Sequence, residues 1–472
     1  MPSDERPPSR VPSSPLRRGL RITRMGVMGT ARAAAHAVNN ALRGEANRAE
    51  RDNALWRAQA AMWVREVGQL KGSLMKAGQM LAMYGENFLP KEAVELLRSL
   101  QSDAPPVSFE SVRAVLEEDL SPQRMAAVAI DPAACGTASL GQVHQATLPG
   151  GAQVAMKVQY PGIKDALDAD LKALRRFLGL MRVVARGETI EGLFSEVRSV
   201  LHDELDYQRE RRMTDFFHQA LADDRRFVVP KTFADYSSAR VLTTSFEAGH
   251  DPEGPEVKAL PQQRRDALGL AFFELYLKEL FVWNRVQTDP HFGNFRIRVG
   301  DGRKVPDRIV LLDFGAVRDV SPSYLRTYRR MMLACLQDDR QAVLDLGLEL
   351  GLLRPQDPAI AEQAFFDLCR LIAEPFSSPN TPGRDHTLFD ADGAYDFGRS
   401  DLPKRVAAQA KIFGRAVGLR SSPPEGLFLD RKLAGVFLFL SQLGSNVNGE
   451  ALLRRYIEQP QNEPNQDDAS GA

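Results

Sequence analysis

"TDPHFGNF" at residues 288–295 and "LLDFGA" at 311–316 decide how this chain is read. Asp289 stands five residues ahead of Asn294, and Asp313 follows about twenty residues later inside Asp-Phe-Gly. Turn chemistry alone accounts for either stretch taken singly, because turns collect Asp, Pro, Gly and Asn. Their order and spacing ask for more.

Upstream, "CGTASLGQVHQATLPGGAQVAMKV" at 135–158 supplies what such a pair of motifs still lacks. Its skeleton is Gly136-x-Ala138-x-x-Gly141-x-Val143, followed by Val154-Ala155-Met156-Lys157. A protein-kinase phosphate loop reads G-x-G-x-x-G-x-V and precedes V-A-x-K; here only the middle Gly is replaced, by Ala138. Small residues at 136–139 and 141 let backbone N–H groups approach phosphates, and a strand lysine puts a charge on them. A Gly/Ala-rich hairpin, a solvated edge lysine or a turn carboxylate would each be ordinary alone. The order loop, lysine, Asp-x-x-x-x-Asn, Asp-Phe-Gly is the kinase order. It predicts Gly136, Thr137, Ala138, Ser139, Gly141, Val143 and Lys157 on a nucleotide, Asp289 orienting the acceptor, and Asn294 and Asp313 holding Mg2+.

Around these motifs the chain divides by composition. Residues 1–50 form a basic, partly disordered leader, acid-free from Arg6 to Arg43, suited to anionic headgroups or to targeting. Residues 51–106 form a helical extension, a helix from about Asp52 to Met83 with Trp56, Trp63 and Leu70 at heptad spacing. Residues 107–246 read as a β-rich lobe: a helix starts at Ser108, "MAAVAI", "GQVHQATL", "AQVAMKVQY", "FVVP" and "RVLTTSF" read as strands, and a helical insert spans about Ile163 to Ala222. Residues 247–458 form an α-helical lobe with a surface loop at 375–398, and 459–472 a disordered tail. The fold class expected is α+β, a protein-kinase-like two-lobe fold with an N-terminal helical extension.

Lysine plus arginine and aspartate plus glutamate both total 61, so no global field argues for nucleic acid. Three cysteines without zinc spacing argue for a reducing compartment and no disulfide framework. No apolar run is long enough for a spanning helix. The expected location is cytoplasmic, peripheral to the inner face of a membrane.

Beyond the kinase motifs, "KAGQ" at 76–79, "ELDYQRE" at 204–210 and "VQYPG" at 158–162 make the sequence resemble the UbiB/AarF family of atypical kinases, from about Arg17 to about Leu443. The resemblance implies a K-x-G-Q helix across the active site, with Lys76 and Gln79 on one face as regulatory residues, Lys76 facing Glu204 and Asp206, and Glu210 paired with Lys157. The residues alone leave Glu196, Glu204 and Glu210 open as that partner. This loop departs from the family's alanine-rich pattern at Gly136 and Thr137, and the C-terminal spans of the bacterial UbiB branch are absent, which is more like the soluble branch. After Asp313-Phe-Gly few residues precede the helix start at Ser321-Pro322, and no Ala-Pro-Glu signature follows. The leading expectation is an ATP- (or ADP-) and Mg2+-binding kinase or ATPase that acts on or responds to a lipid-like molecule or isoprenoid precursor. Such a protein would support ubiquinone or isoprenoid-lipid metabolism beside lipid-biosynthesis enzymes. The alternatives are a protein kinase and a nucleotide-binding scaffold without turnover.

Overall fold

A computed structural model describes residues 73–85, 94–95, 97–98, 107–138, 140–180, 188–381, 383–418 and 423–457. The leader, the helix expected from Asp52 as far as residue 72, Ser139 and the tail lie outside the described residues.

Three apolar cores organise the chain. The first joins helix α1 (Ser73–Gly85) to α3 (Ile163–Leu180) and α4 (Glu188–Glu204) through Leu74, Leu81, Leu167, Leu174, Val197 and Leu201. The second lies under an antiparallel sheet of order β1-β2-β3-β5, where β1 is Ala129–Ala138, β2 Gly141–Thr147, β3 Gln153–Gln159 and β5 Val241–Ser245. Alternate residues Val154, Met156 and Val158 point inward onto Val112, Val115 and Leu116 of helix α2 (Phe109–Asp119), as a period of two requires. The third and largest core surrounds helix α6 (Gln262–Phe281), whose last two turns are buried nearly all round.

Three expectations need correction. "MAAVAI" is not a strand at its start, because Ser121 caps a helical turn at Pro122–Ala127 by accepting a hydrogen bond from the Arg124 amide. β1 instead runs on through Pro132 to Ala138, and an edge strand tolerates that proline. "FVVP" forms β4 (Phe227–Val228), which pairs in parallel with β8 (Arg308–Leu311) and so leaves the four-stranded sheet. The 375–398 segment is not wholly superficial: Phe376, Tyr395 and Phe397 are buried against α6 and α11 (Pro424–Leu443).

Hairpin pairing brings the two opening motifs together. β7 (Phe295–Arg298) begins one residue after Asn294 and pairs with β8, Phe295 opposite Leu311. β6 (Arg285–Gln287) pairs with β9 (Val317–Asp319), Gln287 opposite Val317. The twenty-residue spacing is therefore the length of a hairpin that carries Asn294 and Asp313 back to one place.

Candidate active site

Lys157 lies on β3 between inward-facing Met156 and Val158, and so points to the cleft side of the sheet. Its ammonium donates to Glu210 Oε1 at 2.7 Å and Oε2 at 2.9 Å and to Asp313 Oδ2 at 2.9 Å. Glu210 sits in the first turn of α5 (Tyr207–Ala220) and is 3% exposed, against 32% for Asp313. Of the three glutamates left open by the sequence, Glu210 is the one in contact.

Two carboxylates share one ammonium, and the surplus charge shows at the more buried one. Burial, then the charge of Asp313, pushes the Glu210 carboxyl up to about 7. Burial would also raise Asp313, but Lys157 and the Gly315 amide, which donates to Oδ1 at 2.8 Å, hold it below the usual carboxylate range. Burial alone would lower Lys157; Asp313 and Glu210 outweigh it and hold the ammonium well above its ordinary value.

The Asp289–Asn294 segment is built to orient Asn294. Its Nδ2 donates to the Asp289 carbonyl and to Asp289 Oδ2, both at 3.1 Å, which leaves Oδ1 for another partner. Phe314 stacks on Phe217 of α5 with ring centroids 4.7 Å apart, anchoring the Asp-Phe-Gly segment in the main core. Arg209 donates to the carbonyls of Gly315 and Val317, and Arg318 pairs with Asp203, so the insert holds the short stretch that follows.

Lys76 of α1 meets Glu204 at 2.8 Å, the pair being 10% and 18% exposed. Burial works against the Lys76 charge, but Glu204 and then Asp289 raise its pKa, while Arg431 opposes them. The K-x-G-Q helix therefore lies within electrostatic reach of Asp289. Gln79 is exposed. Asp206 is a correction: it caps α5, accepting from the Arg209 amide at 2.9 Å, a role that an aspartate at a helix start commonly takes.

The residues expected to form the phosphate loop lie where β1 turns into β2. Gly136, Thr137 and Ala138 belong to β1, opposite Val143, Gln142 and Gly141. A Cβ at Gly141 would stand 2.3 Å from the Val158 carbonyl oxygen and 2.9 Å from the Tyr207 hydroxyl. That glycine is required by strand packing, whereas a Cβ at Gly136 would meet only ordinary contacts at Val143.

Sequence reasoning expected helix here but missed the contact of α11 with the catalytic loop. Arg431 binds Asp289 Oδ1, and Lys432, the next residue, is buried on the other side against Glu279 of α6 at 2.8 Å, both 2% exposed. A Cβ at Gly435 would fall 1.9 Å from Pro290 Cβ, so the helix and the catalytic loop touch where a side chain is missing. The one available signal was charge inside apolar helix, "FELYLKELF" and "LFLDRKLAGVFLFL". A cleft adjoins Asp289 and is lined by Glu196, Asp203, Glu204, Arg318, Phe428 and Arg431 among others.

A small sheet carrying the lysine and a helical body carrying Asp-x-x-x-x-Asn and Asp-Phe-Gly, joined by the Lys157–Asp313 contact, define a protein-kinase-like α+β fold. Residues 99–346, just over half of the chain, match the ABC1 atypical kinase-like domain, and the chain belongs to that family. It is 29% identical over 392 residues to "Atypical kinase COQ8, mitochondrial" of Saccharomyces cerevisiae, spanning 82% of this chain and 74% of that protein. Over 387 residues it is 30% identical to "Atypical kinase COQ8B, mitochondrial" of Danio rerio, 82% of this chain and 59% of that one. Among solved structures it resembles the complex of Rv3197 with erythromycin from Mycobacterium tuberculosis, with a TM-score of 0.59, 26% identity, and coverage of 86% of this chain and 97% of that one. Among the described residues no helix is long and apolar enough to cross a membrane.

Proposed function

We propose that this chain is an ATP- and magnesium-dependent atypical kinase or ATPase of the UbiB type, acting on or regulated by a small lipid-like molecule in ubiquinone or isoprenoid-lipid metabolism. The observation that carries this reading is Lys157 held by both Glu210 and Asp313, with Asn294 and Asp289 alongside. The donor set fits magnesium, which takes one or two carboxylates or amide oxygens and leaves the rest to phosphates and water. No group of three or more His, Cys, Asp or Glu suited to a tighter metal cage occurs among the described residues. Asp313 and the free Oδ1 of Asn294 would hold the ion, which would supply charge neutralisation between nucleotide phosphates. Lys157 would bind the α- and β-phosphates, and Asp289 would accept the proton of an acceptor hydroxyl.

A small acceptor is favoured over a peptide by the chain that follows Asp313-Phe-Gly. A peptide acceptor would need a platform after Asp313-Phe-Gly, and there the chain is clamped by Arg209 and enters helix α7 (Pro322–Leu336) within a few residues. The scaffold reading draws on Arg431, which occupies Asp289 in this state. Peripheral contact of the basic leader with an anionic membrane, close to lipid-biosynthesis enzymes, completes the proposal.

The test is magnesium-dependent phosphate release with and without anionic liposomes and quinone-like phenols, together with thermal shift by magnesium–ATP. Asp313→Asn should abolish the shift, whereas Asp401→Asn, exposed at the start of helix α10 (Leu402–Val417), should leave it intact. Equal shifts in both variants would remove the site assignment, and nucleotide binding without any phosphate release would favour the scaffold.

A further inference from the structure

Between Asp289 and Asn294 stands a side chain that none of these roles uses. His291 is exposed, yet its ring is tethered: Nδ1 accepts a hydrogen bond from the Gly293 amide at 3.0 Å and caps the short turn Phe292–Asn294. Histidine is not among the residues ordinarily chosen to cap, which are Ser, Thr, Asp and Asn. Gly293 accommodates the ring, since a Cβ there would stand 2.8 Å from Nδ1 and 3.1 Å from Cε1.

The tether has a chemical consequence. A backbone amide can only donate, so Nδ1 is the acceptor and the neutral ring carries its proton on Nε2. That N–H has no protein acceptor among the described residues, although the ring is already ordered. The other charged donors beside Asp289 and Asp313 are committed, Arg431 to Asp289 and Lys157 to Glu210 and Asp313.

We propose that His291 is a further catalytic residue whose Nε2–H donates a hydrogen bond to an oxygen of the phosphoryl group in transit. This rests on the phosphoryl-transfer reading given above. The imidazole is two residues from the proposed proton acceptor and three from the proposed metal ligand, on the one short loop that carries both. As the acceptor oxygen bonds to phosphorus, the bond from phosphorus to the nucleotide's bridging oxygen breaks and its electron pair leaves with ADP. The acceptor's proton passes to Asp289, and His291 keeps its own proton throughout. Charge on the equatorial oxygens makes a tethered donor worth most at that moment.

Two substitutions separate this role from that of the cap. In His291→Asn, Oδ1 takes the place of Nδ1 and can still cap, but the side chain ends short of Nε2. In His291→Gln the amide reaches the Nε2 position, but the cap is lost. The measurements, on the full chain, are Kd for magnesium–ADP, Kd for magnesium–ADP–fluoroaluminate as a mimic of the transferring phosphoryl, and kcat with KM for phosphate release. His291→Asn should hold magnesium–ADP within about twofold, weaken the fluoroaluminate complex about 100-fold and lower kcat by a similar factor at little-changed KM. His291→Gln should recover part of the fluoroaluminate affinity. An Asn variant that binds the mimic as wild type does, or one that loses ADP and mimic equally, overturns the proposal. Wild type that fails to bind magnesium–ADP at all overturns the phosphoryl-transfer reading, and this inference with it.

Discussion

Lys76→Ala should loosen helix α1 without detaching it. Exposed ion pairs contribute about 0–1 kcal/mol, and one-sided loss of a fully buried pair costs about 3–5 kcal/mol. With the partners 10% and 18% exposed, the Lys76–Glu204 pair stands between these limits, and about 2 kcal/mol is a fair magnitude. At about 1.4 kcal/mol per tenfold, local opening becomes roughly 30 times more frequent. The helix stays docked because Leu74, Ala77, Met80, Leu81 and Ala82 are each at most 2% exposed, and a buried leucine alone contributes about 1.5–3 kcal/mol. Hydrogen exchange of the amides in Ser73–Gly85 reads this directly. Lys76→Met, which keeps the apolar stem, should accelerate exchange as Lys76→Ala does if charge is the cause. With the Lys76 end of α1 loosened from Glu204 beside Asp289, phosphate release or self-phosphorylation should rise, and adding Asp289→Asn should remove it. Exchange within twofold of wild type in Lys76→Ala, in an experiment where Leu81→Ala accelerates it, would refute the reasoning.

Two further outcomes follow from α11. Gly435→Ala drives a methyl into the rigid Pro290 ring and should cost about 1–3 kcal/mol while slowing phosphate release at unchanged magnesium–ADP affinity; wild-type turnover in this variant would mean that the helix does not brace the loop. Burial, only partly offset by Lys432, pushes Glu279 up to about 7 from 4.5, so its contribution is complete below pH 4.5 and is lost as pH rises through 7. Glu279→Gln should therefore flatten the fall in Tm between pH 5 and 8, an effect of order 1–3 kcal/mol, and a slope unchanged from wild type would contradict the assignment.

How much could be read beforehand depended on whether the physics is local. Lys157, Asp289, Asn294 and Asp313 sit in short motifs whose order carries their meaning, so the cleft was visible in the chain. Ser121-Pro122 is the same helix-start signal that was read at Ser321-Pro322, and "MAAVAI" went wrong because its apolar run was weighed above that cap. Asp206 is similar, an aspartate at a helix start whose capping role outcompeted a longer-range pairing. β4 could not be assigned to its sheet, since two residues hold no record of which strand they will meet. Arg431 stands among charges inside an apolar helix, a signal that marks it as more than solvated, but its partner lies 142 residues away and the local sequence does not name it.

The seat of Pro290 against Gly435 has a consequence for the order in which the protein comes into being. Every residue proposed for phosphoryl transfer lies before position 314, but the helix on which the catalytic loop leans ends at Leu443. At roughly 5–20 residues per second, synthesis leaves that loop without its support for about 7–30 s after Asn294 is made. For most of that interval a nascent chain has its lysine, aspartates and asparagine but neither Arg431 nor the Gly435 notch. Synthesis of Pro424–Leu443, rather than completion of the motifs, is the event that finishes the site.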